Sequence, residues 1–150
     1  MKSAYKKFDQ KLHDKYDHCA RSIVSSFICS QRYGIVVMAN PDMYGPDLII
    51  EDEAEDEVYY GECEIKNNWS GAKFPFKTVQ FPLRKQKFMK LDKKCYFFML
   101  NKEKTYVLTV DGKDILKSPV KEVKNKYIPN GEMFFQVPIE RTKIYKVKNG

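Results

Sequence analysis

The sequence predicts a mixed α/β domain in which one sheet is flanked by helices. Three features support this. Residues from about 5 to 31 have apolar side chains three or four positions apart and lack Gly and Pro, as an amphipathic helix does. Short apolar runs bounded by turn residues follow, which is typical of buried strands. A basic helical segment then precedes two more apolar runs, which gives the order α-β-β-β-α-β-β.

Each predicted strand is a short apolar run between turn-forming residues. In the third, the alternation places Glu62, Glu64 and Lys66 on one face and Cys63 and Ile65 on the other. Pro82 directly precedes the predicted second helix, and proline is common at the start of a helix. The predicted helices are 5–31 and 83–91; the predicted strands are 35–39, 47–50, 59–65, 95–100 and 105–110, with a weaker one at 133–137; residues 51–57 are expected to form a hairpin loop.

Length and composition are those of one globular domain, spanning residues 1–150. No apolar run reaches the roughly 20 residues that span a bilayer, and the first residues lack the apolar segment of a secretory signal. We therefore expect a cytoplasmic protein without a membrane partner. The four cysteines are scattered and form no CxxC pair, so neither a zinc site nor a disulfide framework is indicated. Cys29, Cys63 and Cys95 are expected to be buried thiols.

The charge is unevenly distributed along the chain. The formal net charge is +7, but residues 33–65 contain ten Asp and Glu and no Lys or Arg, a net charge of −10, whereas the rest carries +17. A metal-dependent enzyme that acts on a polyanion needs such a division, since basic residues attract phosphates and clustered carboxylates hold a cation. The alternative is a solvated charged face with an acidic loop, and charge alone favours that alternative.

Three residues form a candidate catalytic group. Asp47 opens a strand directly after a turn, and Glu64 and Lys66 share a face of the next strand. A hairpin can bring Asp47 beside the other two, because side chains two apart share a face. Two carboxylates so close would repel unless a cation lay between them, and hard oxygen ligands suit Mg²⁺ or Mn²⁺. Lys66 could orient the attacking water or balance charge on the phosphate in the transition state.

The stretch Pro46-Asp47, separated by sixteen residues from Glu64-Ile65-Lys66, resembles the PD-(D/E)XK nuclease superfamily. The resemblance covers roughly residues 12–110 and leaves 111–150 as an unassigned C-terminal extension. It implies a restriction-endonuclease-like fold with an α-β-β-β-α-β core and a Mg²⁺-dependent nuclease, related to Holliday-junction resolvase-type members. Asp47 and Glu64 would be the metal ligands and Lys66 the catalytic lysine. DNA is the expected substrate, endonuclease activity is favoured over exonuclease activity, and a homodimer is plausible. The small, lysine-rich and aromatic-rich chain suits a phage or other mobile-element protein.

The resemblance also suggests contributions from the flanking helices. Many members have an acidic residue on the first helix, for which Asp17 is the choice and Asp14 the runner-up. Some members contact the scissile phosphate from the helix after the lysine strand. The candidates for nucleic-acid binding are Gln80, Arg84, Lys85 and Lys87, with Trp69 as a base-stacking residue. The alternatives stay open: a basic helix face can be simply solvated, and a tryptophan here more often covers the core edge.

Two acidic residues complicate the pattern. Asp42, in a second Pro-Asp pair, is expected to cap a turn. Glu62 shares the face of Glu64, either as a supporting acid or second-metal ligand, or as a solvated residue. Three function classes follow: a divalent-metal nuclease, a nucleic-acid-binding protein of the same fold without chemistry, and a small basic structural protein in which the motif is accidental.

Overall fold

A six-stranded, mostly antiparallel sheet forms the centre of the protein, and a three-stranded sheet packs beside it. The computed structural model describes the backbone of residues 10–124, 126 and 129–147, and the side chains among these from residue 19 onward. The elements are α1 Gln10–Cys29, β1 Ile35–Ala39, β2 Leu48–Asp52, β3 Glu57–Ile65, β4 Thr78–Pro82, α2 Gln86–Met89, β5 Cys95–Leu100, β6 Tyr106–Asp111, α3 Gly112–Leu116, β7 Val120–Val123, β8 Glu132–Pro138 and β9 Lys143–Lys146, with 3-10 turns at Leu83–Lys85 and Ile139–Arg141.

The large sheet has the strand order β1-β2-β3-β5-β6-β9 and the small sheet the order β4-β8-β7. Strands β1, β2 and β3 are antiparallel neighbours, whereas β3 and β5 are parallel. Parallel neighbours need a long crossover, and the segment between β3 and β5 contains β4, a 3-10 turn and α2. This crossover brings basic residues over the face of β3.

Each face of the large sheet covers a separate apolar core. Helix α1 contributes Ala20 and Val24 to one core, in which Leu48 and Cys63 come from the sheet. The second sheet covers the opposite face, and that core includes Phe81 and Phe135. Because successive side chains of a strand point to opposite faces, Asp47, Glu62 and Glu64 lie on the face away from α1.

Strands β2 and β3 are held closely together at Gly61. A Cβ atom at this position would lie 3.2 Å from Ile50 Cδ1 and 3.2 Å from Phe98 Cε2. The glycine therefore allows the α1-side core to close over β3 next to Glu62. Its pairing with Leu48 sets the register that brings Asp47 and Glu62 side by side.

The predicted α/β class is confirmed, and so are the strands at 35–39 and 95–100. The predicted second helix, 83–91, is shorter: a 3-10 turn followed by the four residues of α2. Strand β4 was not predicted. The weak strand at 133–137 is confirmed as β8, and the rest of the C-terminal segment forms α3, β7 and β9, so residues after 111 contribute strands to both sheets.

The cysteine prediction was wrong at one position. Cys63 and Cys95 are buried, but Cys29 is exposed because it lies at the end of α1, beyond the sheet-facing residues Val24 and Ile28. In the part of the chain that the structure describes, no helix combines the length and apolarity needed to cross a membrane.

Candidate active site

Asp47 lies immediately before β2, at the point where the β2–β3 ladder ends. Its Oδ2 accepts a hydrogen bond of 2.8 Å from the backbone N–H of Cys63. Its own N–H donates to Oε1 of Glu62 at 3.1 Å. In both bonds a side-chain carboxylate accepts from a backbone N–H, where a backbone carbonyl would accept in a β-ladder. The carboxylates of Asp47 and Glu62 are therefore held together on one face of the sheet.

Glu62 is buried, with only 7% of its surface exposed, and it forms an ion pair with Lys85. The lysine comes from the 3-10 turn at Leu83–Lys85, which the crossover brings over β3. A buried charge requires a partner and further hydrogen bonds, and Glu62 has both, from Lys85 and from the N–H of Asp47. The alternative of a solvated Glu62 is therefore wrong.

Glu64 lies two residues further along β3, on the same face as Glu62. Part of the residue is accessible, but burial of its carboxyl group raises the pKa. The positive charges of Lys85, Lys66 and Arg84 act in the opposite direction, and the charge of Asp47 raises the pKa further. The charges of Asp47 and of Lys66, the predicted catalytic lysine, thus both act on the pKa of Glu64.

Lys66 follows the last residue of β3. Its N–H donates to the carbonyl of Leu100 at 2.8 Å, which extends the pairing between β3 and β5 by one residue. The backbone of Lys66 is therefore fixed by the sheet. Its side chain, which is partly exposed, is attached to backbone that is paired at the end of β3.

Burial raises the pKa of Asp47 from 3.8 to about 7, and repulsion by Glu62 adds to the effect. The hydrogen bond from Cys63 and the charge of Lys85 oppose the rise. Burial disfavours the charged form of a carboxyl group, and a like charge nearby does the same. Near neutral pH, Asp47 is therefore close to the midpoint of its titration in the metal-free protein.

A cavity of about 370 Å³ opens beside Glu62 and Glu64 and is not lined by Asp47 or Lys66. Glu62 and Glu64 line it from β3, and Arg84 and Lys85 line it from the crossover. Its apolar walls are formed by Phe81, Pro82 and Phe97. The cavity thus combines carboxylates on one side with cations on the other, an arrangement that can accommodate a metal ion together with a phosphate group.

The predicted basic contacts are distributed over several elements. Gln80 lies on β4, before the predicted helix 83–91, and its Nε2 donates to Oε1 of Gln136 at 3.5 Å. Arg84 is exposed and pairs with Glu132 at 3.0 Å. Lys87 is exposed, with its Nζ 5.1 Å from the centre of the Phe88 ring. Arg84 and Lys85 border the acidic cavity, whereas Gln80 does not line it.

The prediction that Trp69 stacks on a base was wrong, because its side chain is completely buried. The ring packs edge to face on Phe74, with ring centres 5.4 Å apart, in the core beneath the second sheet. Its Nε1 has no hydrogen-bond partner among the described residues. Trp69 therefore stabilises the core, which was the alternative that the sequence left open.

The predicted acid of the first helix lies outside the described side chains. Both Asp17 and its runner-up Asp14 belong to α1, of which the structure describes only the backbone in this part. Helix α1 packs on the face of the sheet opposite Asp47 and Glu64. The role of Asp17 stays a prediction.

Sequence reasoning missed the pair formed by Glu62 and Lys85. The alternation of β3 placed Glu62 on the correct face, but no pattern indicated its partner, because Lys85 lies 23 residues further along the chain, within the crossover. Among the described residues, no three His, Cys, Asp or Glu side chains are grouped so that they could hold a metal ion.

Comparisons with models of known protein families, with curated proteins and with solved structures gave no match. Function is therefore inferred from the side chains around Asp47 and Glu64.

Proposed function

We propose that the chain is a Mg²⁺-dependent nuclease that hydrolyses DNA, with endonuclease activity favoured. One observation carries the proposal: the carboxyl groups of Asp47 and Glu64 face the same side of the sheet, burial raises the pKa of both, and the charge of Lys66 acts on Glu64. When burial and mutual repulsion disfavour the charged form of two carboxyl groups, a cation that binds between them stabilises that form. Their proximity to lysines also provides positive charge for a phosphate.

The donor set fits Mg²⁺, with Mn²⁺ as a substitute. Mg²⁺ usually binds through one or two carboxylates, keeps several waters and takes phosphate oxygens as further ligands. Asp47 and Glu64 would hold it, and water and substrate would complete the coordination. When bound, the ion would polarise a phosphate oxygen and make a bound water more acidic.

The chain's own residues have distinct tasks in this proposal. Hydrolysis forms a bond from water oxygen to phosphorus and breaks the bond from phosphorus to a sugar oxygen, which takes up a proton. Lys66 would orient the attacking water and balance the negative charge that develops on the phosphate. Glu62 is a positioning residue, because it binds the N–H of Asp47 and the ammonium group of Lys85. Arg84, exposed at the rim, would contact the phosphate backbone.

DNA as the substrate is supported by the division of charge. The acidic segment 33–65 contains Asp47 and Glu64, and the +17 charge of the remaining chain is available to bind phosphates. The order of elements also agrees with a restriction-endonuclease-like core, since α1 is followed by three antiparallel strands and then, after a crossover, by a strand parallel to β3. A homodimer that cuts two strands is part of the same proposal.

A nucleic-acid-binding protein without chemistry is the second candidate. The ion pair between Lys85 and Glu62 favours it, because this ammonium group already supplies positive charge to the acidic cluster without a metal.

Cleavage of plasmid, linear duplex and single-stranded DNA, with and without Mg²⁺, tests the proposal. We expect cutting only with Mg²⁺ or Mn²⁺. Salt-sensitive binding without any cutting in either metal would select the second candidate.

A further inference from the structure

The loop at residues 40–46, between β1 and Asp47, is held rigid by its own polar groups. Asn40 Nδ2 donates to the carbonyl of Pro46 at 2.9 Å, and the N–H of Asn40 donates to the carbonyl of Asp47 at 3.0 Å. Oδ1 of Asp42 accepts from the N–H of Tyr44 at 3.0 Å. Asp42 thus caps the turn, as its sequence context predicts. The loop therefore presents its tip in a fixed position relative to Asp47.

Two large side chains are exposed at this tip. Met43 is 84% exposed and Tyr44 is 78% exposed. The loop is tight as well as rigid, because a Cβ at Gly45 would lie 2.6 Å from Asn40 Nδ2. A pre-ordered loop with an exposed aromatic ring loses little conformational entropy when the ring binds a ligand.

A cavity of about 320 Å³ lies between this loop and the segment around α2. Tyr44 and Tyr60 provide aromatic rings, Asn40 and Asp42 provide hydrogen-bonding groups, and Lys87 provides a positive charge. This volume is within the range of roughly 300–1,000 Å³ that small-ligand sites occupy, and such sites typically combine apolar walls with a few polar groups.

The cavity adjoins the candidate active site along β3. Tyr60 lies on the same face as Glu62, two residues before it, a separation of about 7 Å along the strand. A base and a neighbouring phosphate of one nucleic-acid strand can therefore reach the cavity and the candidate active site at the same time. The cavity also lies between opposite charges, with Asp42 of the loop on one side and Lys87 of α2 on the other.

We propose that this cavity binds an unpaired nucleobase of the strand whose phosphate lies at Asp47 and Glu64, with Tyr44 stacked on the base. The inference rests on the proposed function and adds a preference for single-stranded or locally unpaired DNA. The uncharged base faces Asp42, which would repel a phosphate, and the adjoining phosphate faces Lys87. A duplex cannot fill the cavity without unpairing, since its bases are stacked inside the helix.

The test measures binding of a labelled single-stranded DNA of about 12 nucleotides, and of a duplex of the same length, by fluorescence anisotropy with Ca²⁺ in place of Mg²⁺ to prevent cutting. Base stacking on an aromatic ring contributes enough for Tyr44→Ala to weaken single-strand binding by about 10-fold or more. Duplex binding should change by less than about 2-fold, because its main contacts are to phosphates. Tyr44→Phe should bind like the wild-type protein, since the ring is retained.

Tyr33→Ala is the matched control. Tyr33 is 98% exposed and precedes β1 at the end where Ile35 pairs with Asp52, whereas the 40–46 loop leaves β1 at the opposite end. It should leave both affinities unchanged. The inference would be overturned if the two alanine variants had equal effects, or if single-strand and duplex binding fell equally. It would also be overturned if the wild-type protein did not bind single-stranded DNA.

Mg²⁺-dependent cutting by the wild-type protein is measured separately and reports on the proposed function. If the protein cuts DNA but Tyr44→Ala has no effect on binding, the base site alone is rejected. If Tyr44→Ala weakens single-strand binding but the protein does not cut, the nuclease alone is rejected.

Discussion

Replacing Asp47 by Asn should stabilise the metal-free protein at pH 8 while removing its response to Mg²⁺. The amide has the shape of the protonated carboxyl group and can still accept the hydrogen bond from the N–H of Cys63. It lacks the negative charge that burial and Glu62 disfavour. The substitution therefore removes an electrostatic cost and keeps the local geometry.

The magnitude follows from the pKa of Asp47, which rises from 3.8 to about 7 on folding. One pKa unit corresponds to about 1.4 kcal/mol, so the charged carboxylate destabilises the folded state by at most about 4 kcal/mol. Because the folded pKa is raised, the stabilisation from the bound proton is complete below pH 3.8 and is lost as the pH rises through about 7. The advantage of Asp47→Asn should accordingly be small near pH 4 and largest at pH 8.

Thermal unfolding followed by circular dichroism at both pH values measures this effect. A gain of about 2 kcal/mol, half of the limit, would raise Tm by about 4–8 °C in a domain of this size. Mg²⁺ should raise the Tm of the wild-type protein through binding to the folded state, and should leave the Asn variant unchanged. Asp42→Asn, which changes an exposed acid in the neighbouring turn, is the control. Equal Tm values for Asp47→Asn and the wild-type protein at pH 8 would refute the reasoning.

Three further substitutions have distinct expected outcomes. Lys85→Ala leaves Glu62 buried without its partner, so urea unfolding should show a loss of about 3 kcal/mol; an unchanged midpoint would mean that the pair is not formed. Trp69→Ala should lose about 3–5 kcal/mol in the same assay, while the salt dependence of DNA binding stays that of the wild-type protein, and a flatter slope would return Trp69 to the DNA-binding surface. Asp17→Asn should raise the Mg²⁺ concentration needed for cleavage and Asp14→Asn should not, whereas normal activity in both would remove α1 from the site.

The sequence was most informative where the pattern is local. The alternation in β3 placed Glu62, Glu64 and Cys63 on their correct faces, because a period of two is enforced by the backbone of any strand. The apolar runs of β1 and β5 gave their bounds for the same reason, since each is short and bounded by turns. Local periodicity therefore predicted the half of the site that β3 supplies.

Features that depend on distant partners could not be predicted in this way. Strand β4 pairs with β8, more than fifty residues away, and its alternation of Val79 and Phe81 with polar residues spans only five positions and ends at a proline. The pairing of Glu62 with Lys85 depends on the same crossover. Trp69 became a core residue because the second sheet covers it, and that sheet was not expected. In each case a long-range contact, and not a local propensity, decided the outcome.

In the proposed nuclease Glu64 holds the metal ion, and a comparison of two glutamates of one strand tests this. Glu64→Gln and Glu57→Gln both replace a β3 carboxylate by an amide, but Glu57 is exposed at the start of the strand and Glu64 faces the cavity. The measurement is the initial rate of plasmid DNA cleavage in Mg²⁺ at equal concentrations of folded protein. We predict that Glu64→Gln lowers the rate by about 100-fold or more and that Glu57→Gln cleaves like the wild-type protein. Cleavage by Glu64→Gln at the rate of Glu57→Gln would contradict the proposed active site.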